Sequence, residues 1–315
     1  MTVRNEQTIQ YLNFLVKQYQ GVTKLTTATK QRLQSLPGED RQEDFDTLLK
    51  GRKMETKTEE GLETVKGRIT RDIEKELKAW DIWDLWLKKI PGIGPWLAAE
   101  LIILFYYKFS PICKDCGGSL EKEKVTTEDG KEINTLVCTE CGKPSNREGL
   151  LEHKVIFRDY PTISKWWAFL GRHTVDGVMP KRKAGEQSNW STHGRTVTFH
   201  IGEQWNRQKE SHLYKALLLD RKKKHQRKND SRDKAWTLGH IHSAACSETT
   251  KIFLSHFWTV ARVLDNKVIS GPYSEVILGH TNIYPPFYME GELADMVHEQ
   301  LAIAKKWDSE VEAAA

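Results

Sequence analysis

The sequence predicts a mainly α-helical protein that carries one small inserted β unit. Over long stretches, apolar residues recur every three or four positions, which is the spacing of one face of a helix. The exception is segment 113–141, where two CxxC pairs flank strand-forming sequence. With 38% hydrophobic and 29% charged residues among 315, the chain has the composition of a soluble globular protein of about two domains.

The N-terminal part of the chain is predicted to be helical throughout. Residues 6–35 are expected to form one or two helices, and residues 41–89 a long helix or helical pair broken near Gly51 or Gly61. A continuous apolar stripe runs along the second segment: Leu62, Val65, Ile69, Ile73, Leu77 and Trp80. This stripe is typical of a coiled coil or helical hairpin that dimerises, and a helix lying on its own core explains it equally well.

The rest of the chain divides by pattern into further segments. Helices are expected at about 151–172, 201–224, 239–264 and 290–308, with loop and short strand over 173–200, a polar basic connector at 221–234 and irregular structure at 270–289. The predicted domains are N-terminal helices (1–89), a turn with an apolar helix (90–112), a zinc ribbon (113–141), a helical nucleic-acid-binding domain (142–289) and a C-terminal helix with tail (290–315).

Positive charge is concentrated in one region. Residues 151–240 carry 19 Lys and Arg against 9 Asp and Glu, whereas the rest of the chain carries 29 against 34. Such segregation indicates a site for a polyanion, although a solvated basic face would give the same count.

The start of the chain has no apolar segment typical of a signal peptide, and the longest apolar run, 96–107, contains Glu100 and is too short to span a bilayer. Four of five cysteines lie in CxxC pairs, which indicates metal binding in a reducing compartment. We therefore expect a cytoplasmic protein that has no membrane partner.

The cysteines give the most specific signal in the chain. Two CxxC pairs, each followed by glycine, are 21 residues apart and are bridged by strand-forming sequence, which is the pattern of a zinc ribbon. The predicted ligands of one structural Zn²⁺ are Cys113, Cys116, Cys138 and Cys141. A redox pair or an iron–sulfur cluster explains the doubled motif less well. Four thiolates close the site, so its role would be structural.

The segment IPGIGPWLAAEL (90–101) looks like a helix-hairpin-helix turn. In such a turn, the backbone amides around Gly92 and Gly94 and the start of the next helix face a phosphate. The alternative is a helix cap whose glycines serve close packing.

Two basic clusters and a further lysine are the other candidate nucleic-acid contacts. They comprise Lys181, Arg182, Lys183, Arg221, Lys222, Lys223, Lys224, Arg227, Lys228 and Lys251. Between the clusters lie Trp190, His193, Arg195, Phe199 and Trp205. Cations with interleaved aromatic residues suit single strands or irregular RNA, where bases stack on exposed rings. Core packing is the alternative for the tryptophans, and we expect it for Trp166, Trp167 and Trp258.

No sequence motif demands an active site. The chain has no Walker loop, dinucleotide fingerprint or GxSxG motif. His240 and His242 lack a carboxylate pair nearby in the sequence, so we expect them to cap a helix or touch phosphate.

The order of these motifs resembles one known family. A helical segment precedes IPGIGPWLAAELI, and a tryptophan-containing helix ending in FLG (169–171), the loop VDGVMPKRKAGE (175–186) and a helix with KIFLSHFW (251–258) follow. This order, over roughly residues 40–285, resembles the C-terminal half of the bridge-RNA-guided insertion-sequence transposases that have an N-terminal DEDD nuclease domain. That half is similar to the Nop domain of box C/D ribonucleoproteins and to the core of the Tas proteins of TIGR systems.

Two departures from the transposases bear on function. Only about 90 helical residues precede IPGIG, too few for a RuvC-like domain, and Asp176 stands where the transposases place a nucleophilic serine. The resemblance therefore implies a nuclease-free, Tas-like protein of a prokaryotic cell or its virus: a dimeric, RNA-guided DNA binder with a Nop-like domain, guide RNA and target DNA as partners, and no catalytic residue. The alternatives are a transposase-related enzyme, for which Ser188 or Ser191 would have to act, and an RNA-binding scaffold that has no DNA target.

Overall fold

The computed structural model describes residues 6–35, 42–53, 58–126, 132–145, 152–175, 178–183, 185–232, 234–269 and 284–314. Its helices are α1 (Glu6–Gln34), α2 (Gln42–Lys50), α3 (Leu62–Leu77), α4 (Pro95–Tyr106), α5 (Ile163–Phe169), α6 (Thr192–Arg207), α7 (Leu213–Asn229), α8 (Leu238–Leu264) and α9 (Glu292–Ala314). Its strands are β1 (Gly51–Lys53), β2 (Thr58–Glu60), β3 (Tyr107–Ile112), β4 (Leu120–Thr126), β5 (Glu132–Cys138), β6 (Pro144–Ser145) and β7 (Glu152–Phe157). The prediction of a mainly helical chain with a small β insert is confirmed.

The chain forms two compact units. The larger comprises Met1–Leu101 together with Tyr160–Ala315, and the smaller is Ile102–Asp159. The smaller unit therefore extends on both sides of the cysteine segment 113–141, because β3 and β7 pair antiparallel from Tyr107↔Phe157 to Ile112↔Glu152. Across the ranges described, no helix is both long and apolar enough to cross a membrane.

Two glycines divide the N-terminal helices where the sequence predicted a break. Gly51 has a φ of 84°, a backbone conformation that glycine adopts without strain, and it ends α2. Gly61 precedes α3 and packs directly on the backbone of Leu49 and Gly51. Between the two glycines lies an antiparallel pair, β1 and β2, which the helical pattern did not predict.

The apolar stripe of α3 is covered by the same chain. Ile73, Leu77 and Trp80 are fully or almost fully buried, and α1 supplies Ile9 and Leu12 to the buried set. Helix α3 packs along α1. A helix lying on its own core therefore accounts for the buried part of the stripe, and dimerisation stays a prediction.

Helix α8 is the centre of the larger unit. It is 27 residues long, and most of its residues from Phe253 to Val263 are buried. The fully buried side chains of Trp86 and Trp166 stack on Phe253 and Phe257, respectively, so segments from three parts of the sequence meet on this one helix. Core packing of Trp166 and Trp258 is confirmed, whereas Trp167 is only half-buried.

Several predicted boundaries were wrong. Residues 151–172 are not one helix, because strand pairing with β3 fixes Glu152–Phe157 as β7 before the short α5 begins. The predicted helix 201–224 is two helices: α6 begins much earlier, at Thr192, and α7 continues to Asn229. The basic connector predicted at 221–234 is therefore mostly helical. The stretch 270–283, Asp176 and Gly177 lie outside the described residues.

We expect Gly61→Ala to lower the free energy of unfolding by about 2 kcal/mol or more. A Cβ at this position would lie 2.5 Å from the carbonyl oxygen of Leu49, which is too close, so the contact between the end of α2 and the start of α3 would have to open. The matched control is Gly67→Ala, in the interior of α3, where an added Cβ meets nothing within 4 Å. The control should gain about 0.5–1 kcal/mol from its higher helix propensity. Denaturant unfolding of the two variants measures the difference, and equal stabilities would contradict the packing argument.

Candidate metal centre and nucleic-acid interface

The four paired cysteines converge on one point. Cys113 Sγ lies 3.7 Å from Cys141 Sγ, and Cys116 Sγ lies 3.4 Å from Cys138 Sγ. All four sulfur atoms lie within 4.8 Å of one another. Thiolates bound tetrahedrally at about 2.3 Å are about 3.8 Å apart, so this spacing is close to that of a closed four-sulfur metal site.

Both CxxC pairs have the same backbone geometry. The carbonyl of Cys113 accepts a hydrogen bond from the amide of Gly117 at 2.9 Å, and that of Cys138 accepts one from Gly142 at 3.0 Å. The two glycines have φ values of 73° and 67°, which explains why glycine follows each pair. The repeated turn directs both sulfurs of each pair towards the common centre.

The strands hold the two pairs in register. Antiparallel pairing of β4 and β5 sets Leu120 opposite Cys138, and Leu120 packs in a small core with Cys113, Cys138 and Leu136. Gly118 lies against the second pair, since a Cβ there would be 2.9 Å from Cys138 Sγ. We call residues 113–141, with these strands, the cysteine ribbon.

The backbone also promotes ionisation of one cysteine. The amides of Cys141 and Glu140 donate to the sulfur of Cys138 and lower its pKa to about 7. Because thiolate is the form in which cysteine binds metals, this lowering of the pKa favours Cys138 as a ligand.

The two glycines of IPGIG differ in their surroundings. Gly92 has a φ of 92°, and a Cβ there would lie 3.1 Å from the side chain of Gln208, so this glycine serves a tight turn against the end of α6. Gly94 is exposed, has open space around it and accepts a hydrogen bond from Ala98 at the start of α4. This geometry gives Gly92 a packing role, and phosphate contact by either glycine stays a prediction.

The first basic cluster lies in an exposed loop. Lys181, Arg182 and Lys183 are all exposed, and Lys183 Nζ lies 3.6 Å from a carboxylate oxygen of Glu186. Arg195 donates to the carbonyl of Pro180 and so connects α6 to this loop.

Trp190 combines a packing role with partial exposure. It lies so close to Gly171 that a Cβ there would be 2.8 Å from its indole ring. The guanidinium of Arg195 lies 4.7 Å from the centre of the same ring. The ring is half-buried, so part of it is accessible to a ligand. It lies beside Arg195, which also connects α6 to the basic loop of Lys181, Arg182 and Lys183.

The second basic cluster is divided by helix geometry. Arg221 and Lys224 face α8, where their nitrogens lie 3.7 and 3.3 Å from Glu248 Oε2. Lys222 donates to the Asn206 side chain at 3.2 Å. The remaining three cations, Lys223, Arg227 and Lys228, are exposed, and no acidic partner is found for them among the described residues.

The aromatic residues between the clusters do not act as one set. Trp205 is fully buried and stacks on Tyr214, so of the two interpretations left open for the tryptophans, core packing applies to it. Phe199 remains 56% exposed on α6. An additional pair joins α8 to α5, where Lys251 Nζ is 4.4 Å from the centre of the Trp167 ring. Burial lowers the pKa of Lys251.

Contacts along α8 bring both clusters to the same part of the molecule. Ser247 contacts Met179 of the loop, and the next residue, Glu248, pairs with α7. Lys251 lies one turn further along the helix. The loop and α7 therefore both contact the middle of α8, through Met179 in the loop and through Arg221 and Lys224 in α7, and we call the exposed cations of the loop and of α7 together the basic face.

A further cluster was missed by the sequence analysis. His242 Nε2 lies 3.1 Å from Glu203 Oε1, and Cys246 lies beside His242 on the same helix. The sequence shows no carboxylate pair near His242, but α6 brings one distant carboxylate, that of Glu203, to it. The spacing of His242 and Cys246, one helical turn apart, was the only signal available in the sequence. The helix is capped by Thr237, which accepts from the amide of His240 at 3.3 Å.

The serines considered as nucleophiles have ordinary surroundings. Ser191 Oγ caps α6 by accepting a hydrogen bond from the amide of Gly194 at 2.9 Å. Ser188 is half-buried in the preceding loop. No family model, curated protein or solved structure matches this chain, so the functional argument depends on the geometry of these sites.

Cys138→Ser should remove one metal ion per chain and destabilise the ribbon, because the three thiolates that remain leave the ion open to water. The matched control is Asp115→Asn in the other cysteine turn, which breaks an exposed ion pair with Lys143 and leaves all four thiolates in place. Elemental analysis should show the loss in the first variant only. Equal metal contents in wild type and Cys138→Ser would contradict the four-sulfur site.

Proposed function

We propose that this protein binds RNA on its basic face and that the bound RNA directs it to DNA by base pairing. In this proposal the cysteine ribbon holds a structural Zn²⁺ ion. The motif order that resembles the Tas proteins motivates the choice, and the distribution of charge on α7 and the neighbouring loop supports it.

The exposed cations of α7 carry the proposal. Lys223 and Arg227 are four residues apart and so share one face of the helix, and Lys228 is adjacent. Their charges are not matched by carboxylates in the described part of the chain, unlike those of Arg221 and Lys224. A row of unmatched, exposed cations on a rigid helix is suited to a phosphate backbone, which binds without regard to sequence.

Aromatic groups beside two other candidate cations, Arg195 and Lys251, favour RNA over duplex DNA as the direct ligand. Trp190 has an accessible edge beside Arg195, and Trp167 lies beside Lys251. Unpaired bases can stack on such rings, whereas the bases of a duplex are already stacked. Target choice would then come from base pairing between the RNA and DNA and not from these side chains.

Zinc is the proposed ion of the ribbon. Four cysteine sulfurs at close to tetrahedral spacing, each pair held by a glycine turn, suit Zn²⁺, which prefers tetrahedral thiolate sites. Such a site leaves no position open for a substrate. Its contribution would be to fold the ribbon, whose small core contains few residues besides the cysteines.

The combined variant Lys223→Ala, Arg227→Ala and Lys228→Ala should weaken binding to RNA of any sequence. If about six phosphates are neutralised in the complex, the logarithm of affinity should fall with the logarithm of salt at a slope of about −4 to −5. Removal of three phosphate contacts should flatten this slope by about two units. Fluorescence anisotropy with a labelled single strand over a salt series measures both quantities.

The matched control is the combined variant Arg71→Ala, Lys75→Ala and Lys78→Ala, which removes one arginine and two lysines from exposed positions at the end of α3. It changes net charge by the same amount, so only a local role of α7 separates the two variants. If both flatten the slope equally, the binding is a net-charge effect and α7 is not the interface.

Protein loaded with a new guide RNA should move to a new DNA target, because the protein itself would read only backbone and shape. The same incubation, with matched duplex DNA and Mg²⁺ or Mn²⁺, should show no cleavage or strand transfer. Protein that retains its old DNA target would rule out RNA guidance, whereas protein that binds RNA but no DNA would support the RNA-binding scaffold. Metal-dependent cleavage that one point mutation abolishes would instead support the transposase-related enzyme.

A further inference from the structure

The second cluster of possible metal ligands lies where α6 and α8 cross. Glu203 comes from α6, and His242 and Cys246 come from successive turns of α8. The two helices approach closely at Gly202, where an added Cβ would lie 2.9 Å from Thr250 Oγ1. This close approach brings a carboxylate, an imidazole and a thiol together across a helix interface.

The separations of the donor atoms match those around a tetrahedral ion. With metal bonds of about 2.0–2.1 Å to nitrogen and oxygen and about 2.3 Å to sulfur, ligand atoms should be about 3.6 Å apart for S and N and about 3.3 Å apart for N and O. Cys246 Sγ lies 3.5 Å from His242 Nε2, which lies 3.1 Å from Glu203 Oε1. All three donor atoms lie within 4.8 Å of one another.

Burial favours a metal role over a plain hydrogen bond. A hydrogen bond between His242 and Glu203 explains their contact. The Cys246 sulfur lies 3.8 Å from the Gly202 carbonyl oxygen, a long hydrogen bond, and closer, at 3.5 Å, to the same imidazole nitrogen that meets Glu203. Cys246 is 8% exposed, so its sulfur is largely shielded from water beside the Glu203 carboxylate. A bound dication would balance both the carboxylate and the thiolate, which no described cation contacts directly.

We propose that Glu203, His242 and Cys246 form a second Zn²⁺ site, with three protein ligands and a fourth position open to an adjacent pocket. The pocket has a volume of about 190 Å³, and both Glu203 and Cys246 line it. Three ligands with an open position differ from the closed ribbon site, since an external ligand can reach the ion. This proposal does not rest on RNA binding.

The pocket walls indicate which ligand takes the open position. Arg172 is only 6% exposed and donates to Thr198 Oγ1 at 2.9 Å and Ser247 Oγ at 3.5 Å, and no carboxylate partner is found for it in the ranges described. Arg195 also lines the pocket. With Zn²⁺ bound, the ion and the guanidinium groups of Arg172 and Arg195 together carry four positive charges. The Glu203 carboxylate and the Cys246 thiolate carry two negative charges, so two positive charges are left without a partner. A phosphate group supplies the matching charge, and its oxygen is the ligand we assign to the open position.

The test uses Co²⁺, which replaces Zn²⁺ in tetrahedral sites and absorbs visible light there. Full-length protein with Zn²⁺ retained in the ribbon is titrated with Co²⁺ while the thiolate charge-transfer band and the visible bands are recorded. We expect one Co²⁺ per chain with a thiolate band, and loss of that band in Cys246→Ser. His242→Ala should weaken Co²⁺ binding at least tenfold. Removal of a residue that only hydrogen-bonds to a metal ligand already weakens metal binding by about tenfold or more, and removal of the ligand itself should cost at least as much.

The matched control is His240→Ala, which removes an exposed imidazole two residues earlier on the same helix. It should bind Co²⁺ like wild type, and circular dichroism should show that all variants keep their helices. Absence of a thiolate band in wild type, or an equal band in Cys246→Ser, would overturn the site. In the second case the band belongs to the ribbon.

Addition of inorganic phosphate or of a 5′-phosphorylated dinucleotide distinguishes the sources of the phosphate group. A shift of the visible Co²⁺ bands with inorganic phosphate alone supports a free ion, and a shift with the dinucleotide supports a nucleic-acid terminus. Arg195→Gln should reduce either response. If neither ligand shifts the bands, water holds the fourth position and the phosphate assignment is wrong, while the metal site stands on the Co²⁺ titration.

Discussion

The larger unit depends on the burial of one long helix. Helix α8 is in contact with neighbours along most of its length, and the residues from Phe253 to Val263 exclude water almost completely. Each large apolar side chain buried in this way contributes about 1.5–3 kcal/mol. Segments far apart in sequence pack on α8 through Trp86, Trp166 and Trp205, so loss of this helix would remove the common surface on which they meet.

Burial on this scale requires that the polar groups of α8 find partners inside the protein. His256 Nε2 donates to the carbonyl of Tyr284 at 2.8 Å, which leaves Nδ1 to accept from the Tyr214 hydroxyl at 2.8 Å. Burial lowers the pKa of His256 to about 4, so the neutral ring with one donor and one acceptor is the form that fits. Arg262 donates to the carbonyls of Val268 and Tyr160. These directional bonds fix the rotation of α8 about its axis as well as its position.

That fixed rotation determines which functional side chains meet. The aromatic residues of α8 are buried against α5 and α7. In this orientation, His242 and Cys246 face α6, Ser247 faces the basic loop and Glu248 faces α7. The candidate metal cluster, the pocket with Arg172 and the basic face are therefore consequences of one packing arrangement. A change of core volume near Phe253 would be expected to disturb all three, because tightly packed interiors transmit strain.

The features that could be predicted from the sequence are those that depend on near neighbours in the chain. Cysteine spacing predicted which four sulfurs meet, and two glycines predicted the breaks around the β1–β2 pair. Features that depend on distant partners could not be predicted in this way. Glu203 and His242 are 39 residues apart, Trp205 is buried only because Tyr214 and Phe253 cover it, and β7 is a strand because β3 pairs with it. Periodicity records the face that a segment buries but not the segment that covers it.

The same limit applies to charge. The number of Lys and Arg residues in a stretch of sequence is larger than the number of cations that a ligand can contact, because some of them pair with carboxylates inside the protein. Glu248 interacts with Arg221, Lys224 and His225, so one carboxylate holds a group of basic residues on the inner side of α7. These pairs are not equivalent. The side chain of Arg221 is only 14% exposed, whereas that of Lys224 is 35% exposed, and a pair in contact with water gains only about 0–1 kcal/mol. A phosphate can therefore compete with Glu248 for Lys224 at small cost, but Arg221 must stay with its carboxylate to remain compensated. The inner side of α7 serves the fold, whereas Lys223, Arg227 and Lys228 on its outer side stay exposed to solvent.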